Sequence, residues 1–391
     1  MDKFLLPFRL NKLLNTLFLS NIFVSYHYAL VIYINSSLLG KFFDDLQISA
    51  LYIIGSIINV ILLLNASKIL EKISNYKLTV YTILIEFFAV FGLFASTTPF
   101  LTGLYFIIHL SSISLLLFNM DIFVESVSCD ESVTGSIRGT YLTLTNIMIV
   151  IAPLTISFLA KNNDYSLIYI ISALLMIPLY LTIKKFKYVE QVKVHHIKVR
   201  ETISQYIKNK DLYNIFISHT LLQLFYGFMV IYTPLYLSKY IGFTWAEMGI
   251  IFTIMLLPFV IFEAPVGELE DEIYGEKEFL TIGFLIMGVA TLIISFVTAK
   301  SFWIWAIILF ITRIGASLVE VSTESYFFKQ VGKEQTDIVG LFRISRPLAL
   351  ILSPIIATVA LQFIPFQYMF IIVGALMVLG TRYSLALKDT K

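Results

Sequence analysis

Apolar runs alternate with short polar breaks along the whole chain, and each run is near the roughly 20 residues that cross a bilayer's hydrocarbon core. The pattern predicts twelve spanning helices over residues 13–36, 47–69, 78–98, 100–124, 140–160, 166–184, 213–237, 245–265, 279–299, 302–324, 340–361 and 367–387. Helices are the natural reading, because a helix satisfies its own backbone hydrogen bonds where no water can. The widest break, residues 185–210, divides six spans from six.

Polar landmarks within this pattern repeat. Asp121 and Glu125 end the fourth span, and Glu320 and Glu324 end the tenth, 199 residues on. Gly139 and Pro153 recur as Gly340 and Pro354, 201 residues on. The charged break from Gly267 to Lys277, with Asp271, Glu272 and Gly275, echoes Ser67, Glu71, Lys72, Ser74 and Lys77, about 200 residues earlier. Such offsets predict two parallel copies of one six-helix unit. The domains expected are an N-terminal bundle over 1–184, a basic linker over 185–210 and a C-terminal bundle over 211–391.

Composition agrees with a membrane protein: 58% hydrophobic, 14% charged, mean hydropathy +0.85, against about a quarter charged in soluble domains. The net charge of +2 decides little, but its distribution sets orientation. Lys184, Lys185, Lys187, Lys193, Lys198, Arg200, Lys208 and Lys210 crowd the linker, and the same side holds Lys3, Arg9, Lys12, Lys68, Lys72, Lys77, Arg138, Lys277, Lys329, Lys333, Arg343, Arg346 and Arg382. The other side holds only Lys41, Lys161, Lys239 and Lys300. Both termini and the linker are therefore expected on the cytoplasmic side of the cell membrane. The first apolar run lacks a small-residue cleavage site, so it is expected to be a retained span. With Cys129 the sole cysteine, no intrachain disulfide or cysteine metal site forms.

The two charged breaks carry a resemblance. Gly267 and Asp271 match the pattern Gly-x-x-x-Asp-Arg-x-Gly-Arg-Lys of the major facilitator superfamily of secondary transporters. Glu272 stands where arginine is usual, and one extra residue precedes Gly275. Ser67, Glu71, Lys72, Ser74 and Lys77 are conservative stand-ins in the first copy. The segment from Pro234 through Gly242 to Gly249 is also similar to the family's link between an odd and an even span. The family's antiporters often carry a glycine-rich pattern in span five; Gly139 and Pro153 keep its ends, but Met148 and Ala152 take the inner positions. An arginine frequent in span four of drug exporters is lacking.

The resemblance implies an all-α fold of two pseudo-symmetric six-helix bundles, with spans one, four, seven and ten lining a central cavity. It also implies alternating access, the halves rocking about a site at mid-depth. Asn21, Ser25, Tyr28 and Asn35 recur at helical spacing on span one. His219, Gln223, Tyr226 and Thr233 do so on span seven, each 198 residues on. A polar stripe on a membrane helix faces protein or water rather than lipid. Bonding between helices is the plain reading for any one of these groups; matched stripes on two cavity helices favour substrate contact. Arg313, mid-span in helix ten, costs about 3 kcal/mol to insert. A permanent guanidinium suits a bidentate carboxylate or phosphate, and an internal pair with Glu320 or Glu86 is the alternative.

Glu86 in span three and His109 in span four are the proton-coupling candidates, while His27, off the stripe, reads as a packing residue. Glu71, Lys72, Asp121, Glu125, Arg138, Gly267, Asp271, Glu320, Glu324 and Arg343 are expected to form the conformational gate that the resemblance implies. In it, Gly267 would permit close helix approach and Asp271 would cap the start of span eleven.

The chain shows no phosphate loop, catalytic triad or metal cluster, so no enzyme and no cofactor are expected. The function expected is secondary active transport of a small polar molecule by a monomer in the lipid bilayer. A proton is the candidate co-transported ion, and no nucleic-acid partner is expected. The alternatives are a multidrug/H+ antiporter of the same fold and, from another class, a non-transporting sensor or assembly protein on a transporter fold.

Overall fold

The computed structural model describes residues 2–127, 131–160, 164–189, 199–272, 274–331 and 336–388. Its helices are α1 (Asp2–Ile32), α2 (Asn35–Leu39), α3 (Asp45–Leu64), α4 (Ala66–Lys72), α5 (Asn75–Ala95), α6 (Pro99–Val127), α7 (Glu131–Leu159) and α8 (Ser166–Ile183). They continue as α9 (Val199–Lys208), α10 (Lys210–Leu235), α11 (Trp245–Glu272), α12 (Glu276–Ile294), α13 (Phe302–Gln330), α14 (Thr336–Leu361) and α15 (Met369–Leu385). Among the described residues there is no strand. Eleven helices are long and apolar enough to cross a membrane. α1 is not among the eleven, but it is 31 residues long and carries Ser20, Asn21, Ser25 and His27 in its interior.

The chain divides into a first unit of Met1–Phe43 with Ile54–Val194 and a second of Asp44–Ile53 with His195–Lys391. The pairing of helices within the units repeats. α1 packs on α7 and α8 as α10 packs on α14 and α15; α5 packs on α6 and α8 as α12 packs on α13 and α15. The helix starts repeat too. Asp44 Oδ1 accepts from Gln47 N at 2.8 Å while Gln47 Oε1 accepts from Asp44 N at 3.1 Å. Two hundred residues on, Thr244 Oγ1 accepts from Glu247 N at 3.3 Å and Glu247 Oε2 from Thr244 N at 2.8 Å. Both are reciprocal capping boxes, in which side chains satisfy backbone donors that a helix start leaves open.

The charged breaks are shorter than the pattern predicts. α11 continues through Gly267 to Glu272, and Ala66–Lys72 is itself the helix α4. The extra turns of α11 hold because Glu270 is fully buried, accepting from Ser322 Oγ on α13. Glu276, at the start of α12, accepts from Ser325 Oγ at 2.9 Å and pairs with Lys329 Nζ at 2.5 Å.

Close packing also falls elsewhere than expected. A Cβ at Gly267 would meet only Val321 Cγ1, at an ordinary 3.7 Å, so no tight approach depends on that glycine. Backbones approach instead where α12 crosses its neighbours. A Cβ on Gly315 would lie 2.5 Å from Met287 N and 2.6 Å from Gly283 O, and one on Gly374 would lie 2.8 Å from Gly288 O. Small residues that let backbones meet are how membrane helices gain packing without a hydrophobic drive between them.

Candidate functional site

Each unit brings polar side chains together among its described helices. In the first, Glu86 of α5 is fully buried, with His27 of α1 and His109 of α6 at 0% and 2% exposure. Glu86 Oε1 lies 2.8 Å from His27 Nε2 and 2.6 Å from His109 Nδ1. Its other oxygen accepts from Ser112 Oγ at 2.5 Å. The outer ring nitrogens are engaged as well: His27 Nδ1 lies 2.9 Å from Ser172 O on α8, and His109 Nε2 lies 3.2 Å from Asn35 Nδ2. Tyr169 O–H donates to Asn35 Oδ1 at 2.8 Å. Three helices, α1, α5 and α6, thus meet at one carboxylate, and α2 and α8 join through the histidines. This differs from the reading of His27 as packing and of Glu86 as a partner for Arg313. A buried carboxylate demands donors, and His27, Glu86 and His109 fall at similar depth in their spans.

In the second unit, Arg313 of α13 is 1% exposed. Its guanidinium carbon lies 5.0 Å from the Phe225 ring centroid and 5.5 Å from that of Tyr226, both on α10. Cation–π contacts of a desolvated guanidinium are worth about 2 kcal/mol. Tyr226 O–H donates to Glu320 Oε2 at 2.6 Å, and Glu263 of α11 is close enough for its charge to act on the same hydroxyl. Gln223, Tyr226, Glu263 and Glu320 are all partly exposed. Gln223 Nε2 lies 3.4 Å from His219 Nε2, and the buried His219 ring stacks on Phe342 at 4.0 Å. Glu263 was missed in the sequence, although a carboxylate inside a predicted span is itself the signal.

The two stripes are therefore used differently. Asn21 donates to Tyr141 O at 2.7 Å and to Thr145 Oγ1 at 3.0 Å, and Ser25 lies 3.2 Å from Thr145 Oγ1, so both tie α1 to α7. Tyr28 is half-buried against the apolar core of the first unit. On α10, by contrast, Gln223 and Tyr226 keep part of their surface open.

Of the gate residues, Arg343 makes a two-pronged pair with Glu324, Nη1 to Oε1 at 2.7 Å and Nη2 to Oε2 at 3.3 Å. Glu320, one turn away, turns to Tyr226 instead. Glu71, Lys72 and Asp121 are exposed. The side chains of Glu125, Arg138 and Asp271 lie outside the described residues.

The chain is therefore a helical protein with repeated helix pairings in its two units and eleven described helices able to span a membrane. Residues 215–388, within the second unit, match the Major Facilitator Superfamily model. The fold is shared with the nucleoside transporter NupG, at a TM-score of 0.71 and 15% identity over 96% of this chain and 98% of that one. It is also shared with a POT family transporter in complex with a thioalcohol-conjugated peptide, at 0.77 and 12% over 95% of each chain. No curated protein matches the chain.

Proposed function

We propose that the chain is a secondary active transporter that moves a small polar molecule across the cell membrane by alternating access. The monomer has both termini on the cytoplasmic side, and no enzymatic step is involved. The observation that carries this reading is the centre around Arg313, where a buried guanidinium lies beside partly exposed Gln223, Tyr226, Glu263 and Glu320. Such a group is costly inside a membrane, so its position there argues for use. Arg313 offers donors, while Gln223 and the two carboxylates offer acceptors. A solute rich in hydroxyl, amide or carboxylate groups fits that set, and nucleosides and short peptides, the solutes of the similar structures, are the first classes to try. Asn21 and Ser25 act here as the tie between α1 and α7 rather than as solute contacts. The pair of Arg343 with Glu324 and the charges Glu71, Lys72 and Asp121 serve the gate.

The test is flux into proteoliposomes across a panel of nucleosides and di- and tripeptides, with wild type and Arg313→Lys. A bond to a charged group is worth about 1.5–3 kcal/mol, so losing the planar fork lowers flux about tenfold to a hundredfold. Equal flux in a normally folded Arg313→Lys protein would remove Arg313 from the site. No flux with any solute would count against transport itself.

A further inference from the structure

The hydrogens of the first unit's polar centre can be placed one by one from their partners. Tyr169 donates to Asn35 Oδ1 at 2.8 Å, which turns the Asn35 amide nitrogen toward His109 Nε2 at 3.2 Å. A nitrogen that receives an N–H carries no hydrogen, so the His109 proton sits on Nδ1 and is donated to Glu86 Oε1. On the other side, His27 Nδ1 lies 2.8 Å from Ser172 Oγ and 2.9 Å from the Ser172 carbonyl oxygen; the hydroxyl can donate or accept, but the carbonyl can only accept and would repel a bare nitrogen, so Nδ1 carries hydrogen. Ser172 Oγ then turns its own hydrogen to His27 O at 3.2 Å. What remains is the 2.8 Å contact between His27 Nε2 and Glu86 Oε1. With Nδ1 protonated, a neutral His27 has a bare Nε2, and a bare nitrogen facing a bare carboxylate at that distance would repel. One hydrogen must lie between them.

We propose that His27, Glu86 and His109 form a proton-binding site holding a single proton shared between Glu86 Oε1 and His27 Nε2, and that this proton is the ion whose binding the transporter couples to movement. Whether it is drawn on nitrogen or on oxygen, the three groups together carry no net charge. The alternative count, a carboxylate with two neutral imidazoles, leaves one negative charge at a fully buried position, which costs more than a neutral set. Proton transfer here breaks only the N–H bond and forms only the O–H bond, or the reverse, with no third reactant.

The titratable groups of the network are Glu86 from α5, His27 from α1, His109 from α6 and, one bond further out, Tyr169 from α8. All four are buried. The proton can leave only if these helices part enough to admit water. Occupancy and helix packing are therefore linked, and linkage runs both ways. That is what a coupling site requires.

A metal ion is a poorer occupant. The candidate ligand atoms converge within 4.8 Å, but the nitrogens sit at 2.8 and 2.6 Å from the carboxylate oxygen. Those are hydrogen-bond lengths, and a tetrahedral ion with bonds of about 2.0–2.2 Å would hold its ligands wider apart.

The coupling half of this inference rests on the transporter reading; the proton count does not. The experiment takes the full chain in lipid bilayers, with histidine ring nitrogens labelled by nitrogen-15, and reads each ring's protonation by solid-state NMR between about pH 5 and 8. His27→Gln and His109→Gln assign the signals. The expected result is His109 as the neutral Nδ1–H form and His27 with both nitrogens bearing or sharing hydrogen, the latter changing in a single one-proton step. Glu86→Gln abolishes that step. Dye-loaded proteoliposomes then report proton movement with whichever panel solute is carried, and a Glu86→Gln protein shown by its melting curve to be folded loses pH-driven accumulation. Two neutral histidines across the range, or ring signals displaced by added Zn2+, would overturn the site. Intact pH-driven accumulation in Glu86→Gln would overturn the coupling. A chain that carries no solute yet shows the one-proton step would sink the transporter reading and its coupling, and leave the proton site standing.

Discussion

The first unit is fastened at its middle by hydrogen bonds, whereas the second is fastened by backbones pressed together. In the first, α1 and α6 bond Glu86 of α5, and added Cβ atoms at Gly55 and Gly92 would meet only side chains, Leu110 and Tyr105. In the second, Gly283 meets Gly315 and Gly288 meets Gly374 through main-chain atoms. The same repeated plan is thus stabilised by two different means. In the second unit Gln223, Tyr226, Glu263 and Glu320 keep open surface. In the first, Glu86, His27 and His109 are sealed.

The largest break in this contrast is Glu86→Leu. Removing one member of a buried charged network costs about 3–5 kcal/mol, read as loss of unfolding free energy in detergent. Glu320→Gln, which weakens one partly exposed bond, costs about 0.5–1.5 kcal/mol in the same assay. Equal losses would erase the difference between the units. Next comes Gly315→Leu, whose side chain meets immovable backbone and costs about 1–3 kcal/mol; Gly267→Ala stays within about 0.5 kcal/mol. A Gly267→Ala protein as damaged as Gly315→Leu would contradict the observed packing.

Smaller effects sharpen the repeat. Asp44→Ala and Thr244→Ala each remove a cap worth about 1 kcal/mol, and similar melting shifts are expected because the two boxes are copies. The smallest concerns Asp164 before α8, whose carboxyl is held below the usual range by hydrogen bonds from Ser166 Oγ and N. A depressed carboxyl stabilises fully above its ordinary value of about 3.9 and loses that contribution as pH falls through the depressed one. Asp164→Asn should flatten this acid limb of the melting curve; an unchanged limb would show that the bonds carry no stability.

Span positions and the duplication were legible because bilayer thickness and a fixed offset leave strong traces in one sequence. Arg313, Glu86 and His109 were legible as costly groups. Their partners were not, since a stripe shows which face is polar but not whether a neighbouring helix or water meets it. Asn21 and Ser25 face α7 while Gln223 and Tyr226 do not, although the spacing is identical. His27 was missed for the same reason: its partner lies 59 residues away. The capping boxes, a Thr or Asp with Glu or Gln three residues on, were readable and show that local signals survive inside a membrane protein.

Most rests on the polar centre of the second unit keeping open surface at Gln223, Tyr226, Glu263 and Glu320 while that of the first is sealed. With Cys129 replaced by serine, Gln223→Cys and Ser112→Cys can each be challenged in lipid with a membrane-impermeant thiol reagent. Rapid labelling of Gln223→Cys with Ser112→Cys protected is the predicted result. Protection of Gln223→Cys, or equal labelling of both, would contradict it.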